Sequence, residues 1–230
     1  DKMSFIKVMP TVGHISKDSI KANISNSILQ LHSHVSTDHP LCGVSFVIEK
    51  TALKETAVYM PTSNSVGGLC WTHSHQVDLM LNTYKSTLLA NVLKEGTVHL
   101  GKEVTVAGVH LFSEDGLYPL LTAPTCKTEE SADMEFIFNI VMASWQESGV
   151  VENVGPIWSF TTDGNTTCHK TGHKTFLKTQ LLEFSPLYGA LVNLPGLNLM
   201  TNNDEVTLKF DYKHTFKCQT CCICSCSLYH

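Results

Sequence analysis

The sequence predicts a mixed α/β sheet covered by helices, and three observations carry that prediction. Two apolar runs, Glu103–Phe112 (EVTVAGVHLF) and Leu117–Ala123 (LYPLLTA), are joined by Ser113-Glu114-Asp115-Gly116, a hairpin turn with Gly where positive φ is tolerated. The strongest helical pattern of the chain follows, with Met134, Ile137, Phe138, Val141 and Trp145 on one face. A new apolar strand, Pro156–Thr162, comes next. Passing from a hairpin through a helix into another strand implies a sheet with both antiparallel and parallel pairs.

The remaining elements fit around that unit. Residues 1–40 contain a short N-terminal helical segment, Ser16 to His32, marked by Ile20, Ile24, Ile28 and Leu31, before a His- and Ser-rich linker up to Pro40. Val44–Ile48 reads as a strand ending in Glu49, residues 57–60 as a short second strand, Pro61 to Gly68 as a turn, and Ser86 to Lys94 as a loose helix. In the main helix Ser131 is the expected cap, Asp133 suits the first turn and Gly149 the end. A long loop with Pro186, Pro195 and Gly196 precedes a last strand, Val206–Phe210, which runs into Asp211.

Composition narrows the function classes. A 230-residue chain with 43% hydrophobic residues can bury a substantial core. Its 16% charged residues fall below the usual ~25%. All sixteen basic residues are Lys; where ordinary usage predicts roughly ten arginines, there are none. A net charge of −5 supplies no general attraction to nucleic acid, and Lys170, Lys174 and Lys178 read as a solvated face. No run approaches the ~20 apolar residues of a membrane span, and DKMSFIKVMP lacks the features of a signal peptide. The expected location is therefore intracellular, nuclear or cytoplasmic, with Cys42, Cys70, Cys126 and Cys168 as free thiols. In that setting the sequons at Asn23 and Asn165 are poor glycosylation sites.

Two acids, Glu49 and Asp163, stand at the C-terminal ends of predicted strands, where open α/β sheets gather their ligands. Carboxylates on neighbouring strands can share divalent cations ~3.5–4 Å apart, the arrangement for phosphodiester chemistry. Oxygen-only donors suit Mg²⁺ or Mn²⁺. Strand-end acids also occur for plain solvation.

The segments YMPTSNSVGGLCWTHSH (59–75), GKEVTVAGVHLFSEDGLYPLLTAPTCKTEESADM (101–134), GPIWSFTTDG (155–164), SPLYGALVNLPGLNL (185–199) and EVTLKFDYKHTFK (205–217) together resemble fungal transposon-encoded proteins. More distantly, strand-DG plus FDYKH-x-x-K is similar to the RNase H-like domain of P-element and THAP-type DNA transposases. The likeness spans about residues 40–217; DGNTT or DYKH alone would be weak. It implies an RNase H-like mixed sheet flanked by helices over residues 41–217, after the N-terminal segment 1–40 and before a Cys-rich tail, 218–230, expected to be disordered. It implies Asp163 as the second catalytic acid, and Asp211, His214 and Lys217 as the Asp-x-x-His-x-x-Lys motif. Glu49 falls where the family reads Asp-Glu with a first catalytic Asp. That is a departure, because an added methylene moves a metal-bound oxygen well beyond the ~0.5 Å that catalytic positioning tolerates. The third acid and an inserted domain would lie beyond this sequence. The resemblance therefore implies a degenerate, truncated, inactive relic of a transposase whose intact relatives use Mg²⁺ to cleave and transfer DNA strands. The implied partners are DNA at transposon ends, weakly bound here, and a homo-oligomer, with no membrane.

The missing arginines fit the same reading. Related proteins, as the resemblance implies, read DGDATRRKAG where this chain reads DGNTTCHKTG. Each difference is reachable by a single C-to-T or G-to-A transition, so a transposon copy damaged by transition mutagenesis accounts for zero Arg, twelve His and nine Cys. Lys only partly replaces the bidentate phosphate grip of Arg.

Two non-enzymatic alternatives stand beside this: a module that binds DNA or a protein partner, and a Cys-rich metal-binding protein. The tail CQTCCICSC offers Cys218, Cys221, Cys224 and Cys226 as thiolates for Zn²⁺ or Cu⁺, although its spacing is tighter than a zinc knuckle and equally fits a damaged reading frame. The pairs His32/His34 and His73/His75 lack an evident third ligand and read as solvated or core-satisfied. Trp71, Trp145 and Trp158 read as core aromatics.

Overall fold

The computed structural model describes residues 15–35, 42–61, 63–78, 85–112, 115–163, 165–193 and 198–210. Asp211, His214, Lys217 and the cysteines Cys218, Cys221, Cys224 and Cys226 lie outside the described residues.

Five strands form the body of one mixed sheet. They are β1 (Val44–Ala52), β4 (Glu103–Leu111), β5 (Tyr118–Thr125), β6 (Ile157–Thr162) and β9 (Thr207–Phe210). Their order is β5-β4-β1-β6-β9, extended by the short strands β8 (Met200–Thr201) and β7 (Thr179–Gln180). The β1/β4 and β4/β5 pairs are antiparallel, and the β1/β6 and β6/β9 pairs are parallel. This is the strand order of an RNase H-like sheet: a meander of three strands, then two added in parallel through helical crossovers. At the β5 edge, Pro119 and Pro124 sit where no ladder donor is needed.

Three helices pack on one face. The helix α1 (Ile20–His34) buries Ile20, Ile24, Ile28 and Leu31, and α3 (Ser131–Glu147) buries Met134, Ile137, Phe138, Val141 and Trp145. The third, α4 (Thr166–Phe176), buries Cys168, Thr171, Gly172, Thr175 and Phe176. These stripes meet the even positions of β1, Val44, Phe46 and Ile48, in a single apolar cluster. At its centre Phe160 stacks on Phe46 (5.9 Å between centroids) and packs at a tilt against Phe138 (4.5 Å) and Phe176 (5.0 Å). The opposite face carries Ser45, Val47 and Glu49 of β1, where Ser159 Oγ donates to Ser45 Oγ at 2.7 Å.

Between β1 and β4 the chain makes a smaller unit: the hairpin β2 (Val58–Met60) with β3 (Ser65–Gly67), then α2 (Lys85–Glu95). It has its own small cluster of Val66, Leu69, Leu89 and Val98.

Several sequence expectations are corrected. Strand β3 lies inside the span read as a turn (61–68), because three residues paired to another three give no periodic signal. The cap of α3 is Glu130, not Ser131: the Glu130 N–H donates to the Asp133 carboxylate at 3.0 Å. Strand β1 does not end at Glu49 but continues to Ala52, paired with β4 as far as Ala52↔Glu103. The polar stretch after Asp163, where the sequence suggests no element, is helix α4. Its buried positions recur at i, i+3/i+4 and i+7/i+8, but before Phe176 they are Cys, Thr and Gly, so a single large apolar residue at the last turn makes no hydrophobic stripe. Gly172 belongs there because an added Cβ would come 2.9 Å from Leu208 Cδ1 on β9.

Because Phe160 is wholly buried among three other rings, Phe160→Ala should cost about 3–5 kcal/mol. Thr161→Ala, on the other face, should cost under about 1 kcal/mol. Urea unfolding midpoints measure both.

Candidate functional site

The parallel pairing of β1 with β6 ends at Ile48↔Thr162, while β1 runs on beside β4. The next residues on the two strands are Glu49 and Asp163, and the Asp163 N–H donates to the Ile48 carbonyl at 3.3 Å. The two acids are therefore neighbours at the rim where the central parallel pair opens. Glu49 is exposed and Asp163 half-buried.

Asp163 is held by the start of α4. Its Oδ1 accepts from the Asn165 N–H at 3.3 Å, and Asn165 Oδ1 accepts from the Thr167 N–H at 2.9 Å, so Asn165 is the N-cap. Thr171 Oγ1 donates to the Ser131 carbonyl at 3.0 Å and ties α4 to the start of α3. One turn into α4, Cys168 is buried, and burial, followed by the nearby Asp163 carboxylate, pushes its thiol up to about 12. It is a packing group and no nucleophile at neutral pH. His169 is held below the usual imidazole range by burial, then by His173, and its ring lies flat on Phe210 at 3.9 Å.

Lys50 points the other way from Glu49, into the helix-covered side. Its ammonium pairs with Glu129, and the two side chains are only 7% and 1% exposed. The second oxygen of Glu129 accepts from Trp71 Nε1 at 2.7 Å. Lys50 and Glu129 both act electrostatically on Cys168, as Asp163 does, so this pair belongs to the same end of the sheet. Trp71 is thus more than the plain core aromatic that its sequence suggests. Trp145 does fill the core, with Nε1 donating to the Gly155 carbonyl at 3.1 Å, whereas Trp158 is only half-buried.

The donor chemistry of Glu49 and Asp163, oxygen only, is the class that Mg²⁺ takes. The two carboxylates are unlike, one free in solvent and one engaged in a turn, and a further acid at this rim, Glu129, is taken up by Lys50 and Trp71. Taken among the described residues, this set does not fit a pair of cations. Nearby, the N-termini of α3 and α4 border an open groove of about 440 Å³ lined by Glu130, Ser131, Thr166, Thr167 and Lys170. Its one Lys is opposed by Glu130, so it has no basic character suited to phosphate.

Of the histidine pairs, His32 and His34 are exposed in the last turn of α1. His75 is exposed, but His73 is half-buried and lies beside Cys70 and Cys126, an arrangement that sequence spacing gave no reason to expect. All four described cysteines are free thiols. No helix among the described residues is long and apolar enough to cross a membrane.

Comparison with known proteins adds one structural likeness. No family model matches the sequence, and no curated protein matches it. Among solved structures, the fold is similar to a chain of the Drosophila P element transposase strand transfer complex, with a TM-score of 0.44 and 10% identity. The alignment covers 84% of this chain and 31% of that one, so the present chain spans about a third of the transposase's length.

The Lys50–Glu129 pair yields a clear expectation. Lys50→Met strands a buried carboxylate and should cost about 3–5 kcal/mol. The double variant Lys50→Met/Glu129→Gln, which keeps an acceptor for Trp71, should recover most of that in urea denaturation.

Proposed function

We propose that this chain is a transposase-type RNase H-like domain, derived from a fungal transposon, that has lost DNA strand cleavage. The observation that carries the reading is the sheet order combined with the position of Glu49 and Asp163, each one residue beyond the last rung of the central parallel pair. An RNase H-like strand-transfer domain needs two acids at that place to share divalent cations. The sequence motifs around Asp163 and Asp211 support it independently.

The loss of activity follows from the donors. Glu at position 49 carries its oxygens farther from the sheet than the Asp expected there, and catalytic geometry tolerates only about 0.5 Å. The absence of Arg removes the residue best suited to bidentate phosphate contacts. Mg²⁺ in intact relatives would supply charge neutralisation at the scissile phosphate. In this chain Asp163 is engaged in capping the turn into α4.

With supercoiled plasmid and Mg²⁺ or Mn²⁺, the wild-type protein should nick no faster than Asp163→Ala. Metal-dependent nicking by the wild type that disappears in Asp163→Ala would overturn the loss of chemistry. The origin has its own test. Sequencing the gene beside its paralogues should show the Arg positions differing by C-to-T or G-to-A transitions; transversions there would remove the argument.

A further inference from the structure

We propose that Cys70, His73 and Cys126 form a zinc site that fastens the inserted unit between β1 and β4 to the edge of the main sheet. The site is separate from the acids at the rim and does not depend on the transposase reading.

Two stretches of chain build it. Cys70 follows β3, and its N–H donates to the His99 carbonyl at 2.8 Å. A tight turn then brings the His73 N–H to the Cys70 carbonyl at 3.2 Å and the Ser74 N–H to the same carbonyl at 3.0 Å, which folds the His73 ring back over Cys70. Cys126 stands one residue past β5, and the Trp71 N–H donates to the Pro124 carbonyl at 2.9 Å, bringing the two segments together.

The ligand atoms are spaced for a small tetrahedral cation. His73 Nδ1 lies 3.4 Å from Cys70 Sγ and 3.8 Å from Cys126 Sγ, and all three donor atoms fall within 4.8 Å of one another. Zn–S near 2.3 Å and Zn–N near 2.0–2.1 Å at tetrahedral angles require S···N of about 3.5 Å and S···S of about 3.8 Å. Two thiolates and an imidazole are the borderline-soft donors that select Zn²⁺ over Mg²⁺. Both sulfurs also have a hydroxyl beside them, Thr72 Oγ1 at 3.1 Å from Cys70 and Thr128 Oγ1 at 3.0 Å from Cys126, the outer hydrogen bonds that steady metal-bound thiolates. His99 stands beside the three, its ring centroid 4.7 Å from that of His73.

A staple here has a physical purpose. Among its described residues the inserted unit has few buried apolar side chains of its own, and a cation shared with the end of β5 would hold it in place. Trp71, between Cys70 and the turn, donates to Glu129, so the same staple would set the buried Lys50–Glu129 pair.

The test uses the full chain with Cys218, Cys221, Cys222, Cys224 and Cys226 changed to Ser, purified under reducing conditions, so that tail thiols contribute no metal. Elemental analysis should find stoichiometric zinc, and Co²⁺ in its place should show tetrahedral d–d bands with thiolate-to-metal charge transfer. Cys126→Ser and His73→Ala, each added to that protein, should lower metal content at least tenfold, while Cys42→Ser should leave it unchanged. Should Cys126→Ser fail to fold, the Co²⁺ spectrum of the tail-substituted parent decides alone. Absence of a thiolate charge-transfer band, metal retained by a folded Cys126→Ser or His73→Ala protein, or a Cys70–Cys126 disulfide in place of bound metal overturns the proposal.

Discussion

The parallel pairing of β1 with β6 is the constraint on which the rest of the molecule depends. Its register sets Phe46 beside Phe160 and Ile48 beside Thr162, and residues in register on parallel strands face the same way. That places Phe160 where Phe138 from α3 and Phe176 from α4 close over it, so one strand pair organises the helices as well as the sheet. A one-residue slip would turn the aromatic set of one strand to the opposite face and dissolve the core.

The same pairing creates the rim. β1 stays paired with β4 to Ala52 but leaves β6 after Ile48, so the backbone opens beside Glu49 and Asp163. Alternation along β1 then separates two kinds of chemistry within two residues. Glu49 is exposed, whereas Lys50 enters the helix-covered side and meets Glu129. A buried ion pair is a weak source of net stability but a strong source of register, because moving either partner leaves an uncompensated charge. Linking it to Trp71 ties the inserted unit to the end of the sheet.

How much of this was legible in the sequence depended on the length of the signal. The α3 stripe and the β4–β5 hairpin extend over many residues with clear periods, and both are present close to where the periods place them. Helix α4 was hidden because the residues it buries are small or polar except Phe176 at its last turn, and most of its apolar surroundings come from β6, β9 and α3. For the candidate site, Asp163 drew attention as a lone acid after an apolar strand, but its turn with Asn165 emerges only with the helix that follows. Glu49 looked like a strand end because the apolar alternation stops there, although the backbone pairing does not.

By itself the sequence determined the mixed α/β class, through periodicity, and the electrostatic character, a net charge of −5 with Lys as the basic residue throughout. Those properties are local or additive along the chain. Only the tertiary structure decided that Glu49 and Asp163, more than a hundred residues apart, are neighbours, and that Lys50 reaches Glu129. It alone brought Cys70 and His73 to Cys126. The physical reason is that each of these meetings is set by strand register and by which face a side chain takes, and neither has any signature in the spacing of the residues concerned.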